Sequence, residues 1–266
     1  MCVLFDISRA AFYAWDKRNT QPDPDRERMA LVQEAFQRSH RTYGYRRIAI
    51  WLWAHKNIRI NSKAVLRLMN KLDLRPLARR RRVYRPLEAM RGIHAYPNRL
   101  ARDFRASHPN QKWVTDVTYI HTQQGWAYLS VIKDLFDGFI VAHHLSRDNS
   151  IGLVTRTLQL AKQKERNVKG LLLHSDQGYQ YRSDPYRVLI SSYGLIPSMS
   201  RRGNCWDNAP MENFFGHLKE EALRPFRNPT FQEAQLIIAD YIHFFNYERI
   251  QLKTRQTPYQ LRCLSG

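Results

Sequence analysis

Apolar positions recur at helical spacing through the first quarter of the chain. Helices are predicted over residues 1–20, 26–40, 46–55 and 62–72. Asn61 or Ser62 can cap the last of these helices. Its inward face is predicted to consist of Val65, Leu66, Met69 and Leu72. Short helices that end on one bearing Lys and Arg suit a helix-turn-helix that enters a major groove, although a plain helical bundle would show the same spacing.

From residue 112 the pattern becomes typical of strands. Segments rich in β-branched and aromatic residues, joined by short turns containing glycine, predict an antiparallel meander over 113–120, 125–132 and 138–145. Two short strands follow at 170–174 and 195–199, and helices are predicted at 149–164, 183–193, 208–223 and 230–247. This order predicts an α/β fold of the ribonuclease H-like type, with a mixed five-stranded sheet and helices on both of its faces.

Charge adds a predicted class of ligand to this picture. The net charge is +20, with +15 in residues 1–108 and +5 in residues 109–266, which favours nucleic acid as the partner. Residues 75–105 hold ten arginines against Glu88 and Asp103, and we interpret this stretch as an arm that follows a DNA backbone. The predicted division is a helical DNA-binding region (1–74), a basic linker (75–108) and an α/β catalytic core (109–266).

Two further features of the composition exclude other classes of protein. No run of 18 apolar residues occurs, so no transmembrane helix is expected. The three cysteines form no CxxC pair, which argues against a zinc finger and favours the reducing cytoplasm as the setting.

Three acidic residues stand where a metal site could form. Asp116 lies inside an apolar strand, and Asp176 comes just past the end of another. Glu212 falls in the first turn of a helix, with 35 residues between it and Asp176. Each alone is more often an ordinary residue, as the other aspartates at 134, 137, 184 and 207 illustrate. Together they suit phosphodiester exchange, which gains most from two metal ions about 3.5–4 Å apart.

The segments around these acids resemble a known family. WVTDVTY at 113–119, HSDQGYQY at 174–181 and GNCWDNAPMENFF at 203–215 are similar to the second-frame protein (OrfB) of insertion sequences in the IS-three family. The resemblance extends to residues 8–15 and 43–48 and covers nearly the whole chain. One departure lies at Asn246–Gln251, where the family's Pro and His are missing, and this puts in doubt any role of that segment beyond packing.

The resemblance implies a DDE-type transposase related to retroviral integrases. Asp116, Asp176 and Glu212 would be the catalytic residues and would hold two Mg²⁺ or Mn²⁺ ions. The enzyme would cut and join double-stranded DNA, at transposon ends and in target DNA, through a circular intermediate. It would act as a homo-oligomer, with the upstream-frame protein (OrfA) as fusion or partner, in the nucleoid-associated cytoplasm of a bacterium.

Other residues are expected to contact DNA or to support the acids. Lys219 lies two helical turns beyond Glu212, where the family usually has a basic residue, and we expect it to contact a phosphate. The other expected DNA contacts are Arg46, Arg47, Lys63, Arg67, Arg79, Arg80, Arg81, Arg82, Arg201 and Arg202. His174 either supports Asp176 and the substrate or packs at a strand end. Two rival functions stay open, a catalytically silent DNA-binding regulator and a structure-specific nuclease.

Overall fold

The structure, a computed structural model, describes residues 8–20, 23–77 and 96–264. The chain divides into two units, Met1–Pro76 and Leu77–Gly266. The expected DNA contacts at residues 79–82 lie outside the described residues. The last part of the predicted linker belongs to the second unit, since Leu100 is buried and its N–H donates to the Ser198 hydroxyl at 3.1 Å.

The first unit contains the four predicted helices, α1 (Arg9–Thr20), α2 (Arg26–Arg38), α3 (Tyr45–Lys56) and α4 (Ser62–Lys71). Helices α2, α3 and α4 pack against one another. Asn61 caps α4, because its side chain accepts a hydrogen bond from the Lys63 N–H at 2.8 Å. The predicted inward position of Leu66 is wrong: Leu66 is 39% exposed, and Leu68 is buried beside Val65 and Met69. The spacing 65, 68, 69 follows the helical repeat, which places residue 66 on another face.

The second unit is built on a five-stranded sheet in the order β3-β2-β1-β4-β5. Its strands are β1 (Lys112–Thr122), β2 (Gly125–Asp134), β3 (Ile140–Ser146), β4 (Leu172–Ser175) and β5 (Ile196–Met199). The first three strands form the predicted antiparallel meander, while β4 pairs parallel with both β1 and β5. The predicted mixed α/β sheet is therefore confirmed.

Helices cover both faces of this sheet, as predicted. They are α5 (Ile151–Lys164), α6 (Asp184–Ser192), α7 (Ala209–Leu218) and α8 (Phe231–Tyr247). A further helix, α9 (Pro258–Cys263), was not predicted and packs against α8. Trp113 and Ile132 share one apolar core with residues of α5 and α6. Lys133, which points to the opposite face because side chains alternate along a strand, lies over the ring of Phe214 in α7.

The helix predicted over 208–223 is interrupted. A 3₁₀ turn (Cys205–Asn208) precedes α7, and a π-helical turn (Lys219–Leu223) follows it. Within the π turn, Glu221 is buried and accepts hydrogen bonds from Tyr241 and from Arg249, at 2.8 and 2.6 Å for the shortest bonds. These contacts hold the wider turn in place and join α7 to the segment after α8.

The C-terminal segment packs against the start of β3 and the end of β2. Asn246 accepts a hydrogen bond from the Ile140 N–H at 2.8 Å and donates one to the Ile140 carbonyl at 3.0 Å. Further on, the guanidinium of Arg262 in α9 contacts three carboxylates, those of Asp134 (2.7 Å), Asp137 (2.7 Å) and Glu165 (2.6 Å). Burial, followed by the charge of Asp137, raises the pKa of Asp134 to about 6.

Candidate active site

Asp116 lies midway along β1, on the same face of the sheet as α7. Its carboxylate accepts a hydrogen bond from the Val117 N–H at 2.7 Å and is only partly open to solvent. Burial among apolar neighbours raises the pKa of Asp116 well above its usual value, and the nearby charge of Asp176 adds to this effect. The free energy cost of ionising this group falls when a cation is bound beside it.

Asp176 follows directly after β4, on the strand that neighbours β1. The parallel register pairs Val114 with His174, so Asp116 and Asp176 each come two residues after this pair. The structure thus brings together two acids that are 60 positions apart in the chain. Burial raises the pKa of Asp176 as well, while the Gly178 N–H, which donates to it at 2.9 Å, and the charge of Arg182 act in the opposite direction.

Gly178 leaves no room for a side chain beside Asp176. A Cβ atom at this position would lie 2.9 Å from Asp176 Oδ1 and 3.0 Å from Gln180 Oε1. The backbone has to pass this close to the carboxylate for its N–H to donate to it. This close approach fixes the orientation of the Asp176 side chain.

Glu212 lies in the first turn of α7 and is exposed. Its charge raises the pKa of Asp116, and the charge of Lys219 lowers it, so both side chains lie within electrostatic reach of Asp116. No group of three His, Cys, Asp or Glu side chains among the described residues converges closely enough to hold a metal ion. The site therefore consists of a close pair, Asp116 and Asp176, with Glu212 and Lys219 at its margin.

Two contacts fix the start of α7 against the sheet. The Asn208 side chain donates to the carbonyl of Thr115, the residue before Asp116, at 3.2 Å. The ammonium of Lys133 lies 3.5 Å from the Pro210 carbonyl, and burial lowers the pKa of Lys133 to about 8. Both contacts place the first turn of α7, and with it Glu212, beside β1.

Asp207, for which the sequence predicted no role, organises the loop before α7. Asp207 is fully buried and accepts hydrogen bonds from Arg102, Arg201 and Asn98 at 2.7, 2.9 and 3.0 Å. We call these four residues the Asp207 cluster. Hydrogen bonds, those from Arg201 first, lower the pKa of Asp207, so it stays ionised. Arg102 precedes it by 105 positions, a separation at which no local sequence signal exists.

His174 packs at the end of β4 and does not carry charge. Its Nδ1 lies 2.8 Å from the Ser198 hydroxyl, and its Nε2 lies 3.0 Å from the Ser200 hydroxyl. Ser198 already accepts hydrogen bonds from two backbone N–H groups, those of Arg99 and Leu100. Its hydroxyl proton is thus directed at Nδ1, which leaves the ring proton on Nε2. Burial lowers the pKa of His174 to about 4, which agrees with this neutral state.

The expected DNA-contact residues differ in their surroundings. Arg67 forms two hydrogen bonds with Asp25, at 2.7 and 2.9 Å, and Arg201 belongs to the Asp207 cluster, so each is already held by a carboxylate. Arg46 and Arg47 on α3 lie over the rings of Tyr45 and Tyr43. The remaining described members of this set are Lys63, which is exposed at the start of α4, Arg202, which is exposed, and Lys219.

Comparison with known proteins identifies the family. A family model of an HTH-like domain matches residues 23–82. Two models that are both described as an integrase core domain match residues 106–205 and 212–265. The chain is 38% identical to a 31 kDa protein of insertion element IS600 from Shigella sonnei, over 94% of this chain and 92% of that protein. It is 37% identical to the putative transposase InsK of IS150 from Escherichia coli, over 97% and 90%. The chain belongs to the IS3-family transposases.

The fold of the transposase agrees with this membership. A chain of the simian T-cell lymphotropic virus intasome is 14% identical and superposes with a TM-score of 0.53, over 80% of this chain and 74% of that chain. This likeness concerns the fold alone, and it confirms the predicted ribonuclease H-like integrase core. Within the described residues of the transposase, no helix is long and apolar enough to cross a membrane.

Proposed function

We propose that the transposase cuts and joins DNA strands by phosphoryl transfer at Asp116, Asp176 and Glu212. The observation that carries this proposal is the Asp116–Asp176 pair. The two carboxylates lie on neighbouring strands, each two residues beyond the Val114–His174 pair, each has a raised pKa, and neither forms an ion pair within the described residues. Keeping two acids in this state is costly unless a cation binds between them.

The residues present fit Mg²⁺ or Mn²⁺. All the candidate donors are carboxylate oxygens, which hard divalent ions prefer, and such ions keep several waters, so few protein ligands suffice. Asp116 and Asp176 would hold the ions, and Glu212 would complete the site by moving from its exposed position at the start of α7. When bound, two such ions would supply the charge that stabilises the attacking and leaving oxygens.

The protein's own groups set the remaining conditions for the reaction. The Gly178 N–H holds the Asp176 carboxylate in one orientation. Lys219 supplies a positive charge near the acids, suited to a phosphate of the bound strand. His174 is neutral and saturated by two serine hydroxyls, so we assign it to support of the β4–β5 edge rather than to proton transfer.

The catalytic proposal is tested by isosteric substitution. Asp116→Asn, Asp176→Asn and Glu212→Gln should each abolish strand cleavage and joining in Mg²⁺ or Mn²⁺ while DNA binding is kept. Asp184→Asn, an exposed acid in the first turn of α6, is the matched control and should retain activity. Near wild-type joining by any of the three variants, or full activity in EDTA, contradicts the proposal. Cleavage without joining by the wild type favours the nuclease alternative.

We also propose that the HTH-like unit and the basic linker bind double-stranded DNA, at transposon ends and at the target. Each phosphate contact should add about 0.9 to the slope of log affinity against log salt. The test replaces four linker arginines by Ala, namely Arg79, Arg80, Arg81 and Arg82. The slope should then become flatter by roughly 3–4, and binding to specific and to random duplexes should weaken alike. An anisotropy titration at several salt concentrations measures this, and an unchanged slope would contradict the role of the linker.

Assembly is the remaining part of the proposal. We expect the active form to be a homo-oligomer on DNA, with the OrfA protein joined as a fusion or bound as a partner. Light scattering of the DNA complex, with and without OrfA, measures the number of chains. A monomer that joins strands at full rate would contradict it.

A further inference from the structure

Two exposed aromatic side chains project from the loops that hold the acids. Trp206, in the 3₁₀ turn before α7, is 67% exposed, and Tyr179, three residues after Asp176, is 54% exposed. Both belong to the second unit, and neither contributes to its apolar core. A large aromatic ring that the fold leaves in solvent has apolar area available for a ligand.

The turn that carries Trp206 is held firmly although its ring is not covered. The next residue, Asp207, is fixed by the Asp207 cluster, and Asn208 donates to the Thr115 carbonyl beside Asp116. The ring therefore stands on a turn that is fixed at Asp207 and, two residues after Trp206, at Asn208, which bonds the residue before Asp116. A preorganised ring loses little conformational entropy when a ligand stacks on it.

The charge near this ring favours a nucleobase as the ligand. The two positive charges of Arg102 and Arg201 outweigh the single negative charge of Asp207. Arg202, which is exposed, adds a further positive charge to the same loop. A second copy of a chain with net charge +20 would be repelled here, whereas the backbone of a DNA strand would be attracted. Aromatic rings in cationic surroundings bind bases of any sequence by stacking.

We propose that Trp206 stacks on an unpaired base at the DNA end and thereby separates the terminal base pair next to the acids. This inference rests on the proposed function, because it assumes that a DNA end enters the site. Separation of the strands would give the acids access to a single phosphodiester, and stacking would offset part of the cost of unpairing. Tyr179 stands on the other loop and is available for a second base.

The first test measures binding without chemistry. Affinities for the terminal duplex of the element, with a matched or a mismatched terminal pair, are measured by anisotropy in Ca²⁺. The wild type should bind the mismatched end more tightly, because it no longer has to open the pair, whereas Trp206→Ala should bind both ends equally. Trp126→Ala is the matched control: Trp126 is 58% exposed but pairs with His121 at the far end of β1, roughly 17 Å along the strand from Asp116.

The second test measures strand transfer in Mg²⁺. Trp206→Ala should slow joining of the matched end by roughly 5- to 150-fold, the rate equivalent of one base stack, and a terminal mismatch should restore most of the rate. Trp206→Phe, which keeps a ring, should stay within about tenfold of the wild type.

Several outcomes would overturn the inference. The first is a wild type and a Trp206→Ala variant that discriminate equally between the matched and the mismatched end. The second is a Trp206→Ala variant that loses affinity for both ends to the same extent. The third is a variant that changes only the association state of the DNA-free protein, which would indicate a protein contact. A wild type that does not join strands would count against the proposed function instead, and the binding test would still decide the role of Trp206.

Discussion

Removing the charge of Asp116 should stabilise the metal-free transposase. On adjacent strands the two carboxylates lie roughly one strand spacing apart, about 5 Å, and with an effective dielectric constant of about 20 their repulsion amounts to about 3 kcal/mol. Asp116→Asn relieves this repulsion and can still accept the hydrogen bond from Val117. For a unit of this size 1 kcal/mol shifts Tm by about 2–4 °C, so relief of about 3 kcal/mol should raise Tm by about 6–12 °C at pH 8 in EDTA.

The stability of the metal-free transposase should decrease as the pH rises. Because the folded-state pKa values of Asp116 and Asp176 are raised, the folded protein takes up protons more readily than the unfolded chain. Stability from this pair is therefore present at low pH and is lost as the pH rises through the raised pKa values. The metal-free wild type should gain Tm as the pH falls from 8 towards 5, and Asp116→Asn should gain less.

Calorimetry in EDTA and in Mg²⁺ measures both effects. Mg²⁺ at 100 times its Kd should stabilise the wild type by about 2.7 kcal/mol and leave Asp116→Asn nearly unchanged. Asp207→Asn is the opposite control, since that carboxylate is compensated by two arginines and its loss should lower Tm in either condition. A lower Tm for Asp116→Asn in EDTA, or an equal response of this variant to Mg²⁺, would refute the reasoning.

Two further substitutions probe the surroundings of the acids and the C-terminal packing. Gly178→Ala should reduce joining and the Mg²⁺-induced rise in Tm, because its Cβ would displace the Asp176 carboxylate. Gly44→Ala is the control and should leave both readouts unchanged, because a Cβ at that position would meet no atom within 4 Å. Equal effects of the two variants would contradict the steric argument. Arg262→Ala should lower the Tm of the second unit more at pH 8 than at pH 5, because Asp134, with a pKa of about 6, can take up a proton when its partner is gone. Calorimetry at the two pH values measures this, and a loss independent of pH would show that Arg262 acts through packing alone.

The pattern of the sequence predicted the sheet and the approach of the two aspartates. A segment rich in β-branched and aromatic residues predicted β1, and an acid just past β4 suits the strand ends at which sites form. A local pattern also marks the start of the unpredicted α9: Thr257 and Gln260 form a capping box, and Pro258 lies in the first turn.

Other features depend on contacts that no local pattern records. The pairing of Arg102 with Asp207 spans 105 positions, and only the folded chain brings them together. Arg67 and Arg201 looked like free cations in the sequence, but each faces a carboxylate in the structure. The interruption of the helix at Lys219 likewise depends on Arg249 and Tyr241, which hold Glu221 from outside that segment.

The position of Arg262 also orders events during synthesis. Glu165 is added to the growing chain 97 residues before Arg262, and at about 5–20 residues per second this delay is roughly 5–20 s. Throughout that interval Asp134, Asp137 and Glu165 lack the guanidinium that joins them, whereas α2, α3 and α4 have already been made. A nascent chain therefore completes its helical unit well before its catalytic unit can close, while it is still attached to the ribosome that is translating its own message.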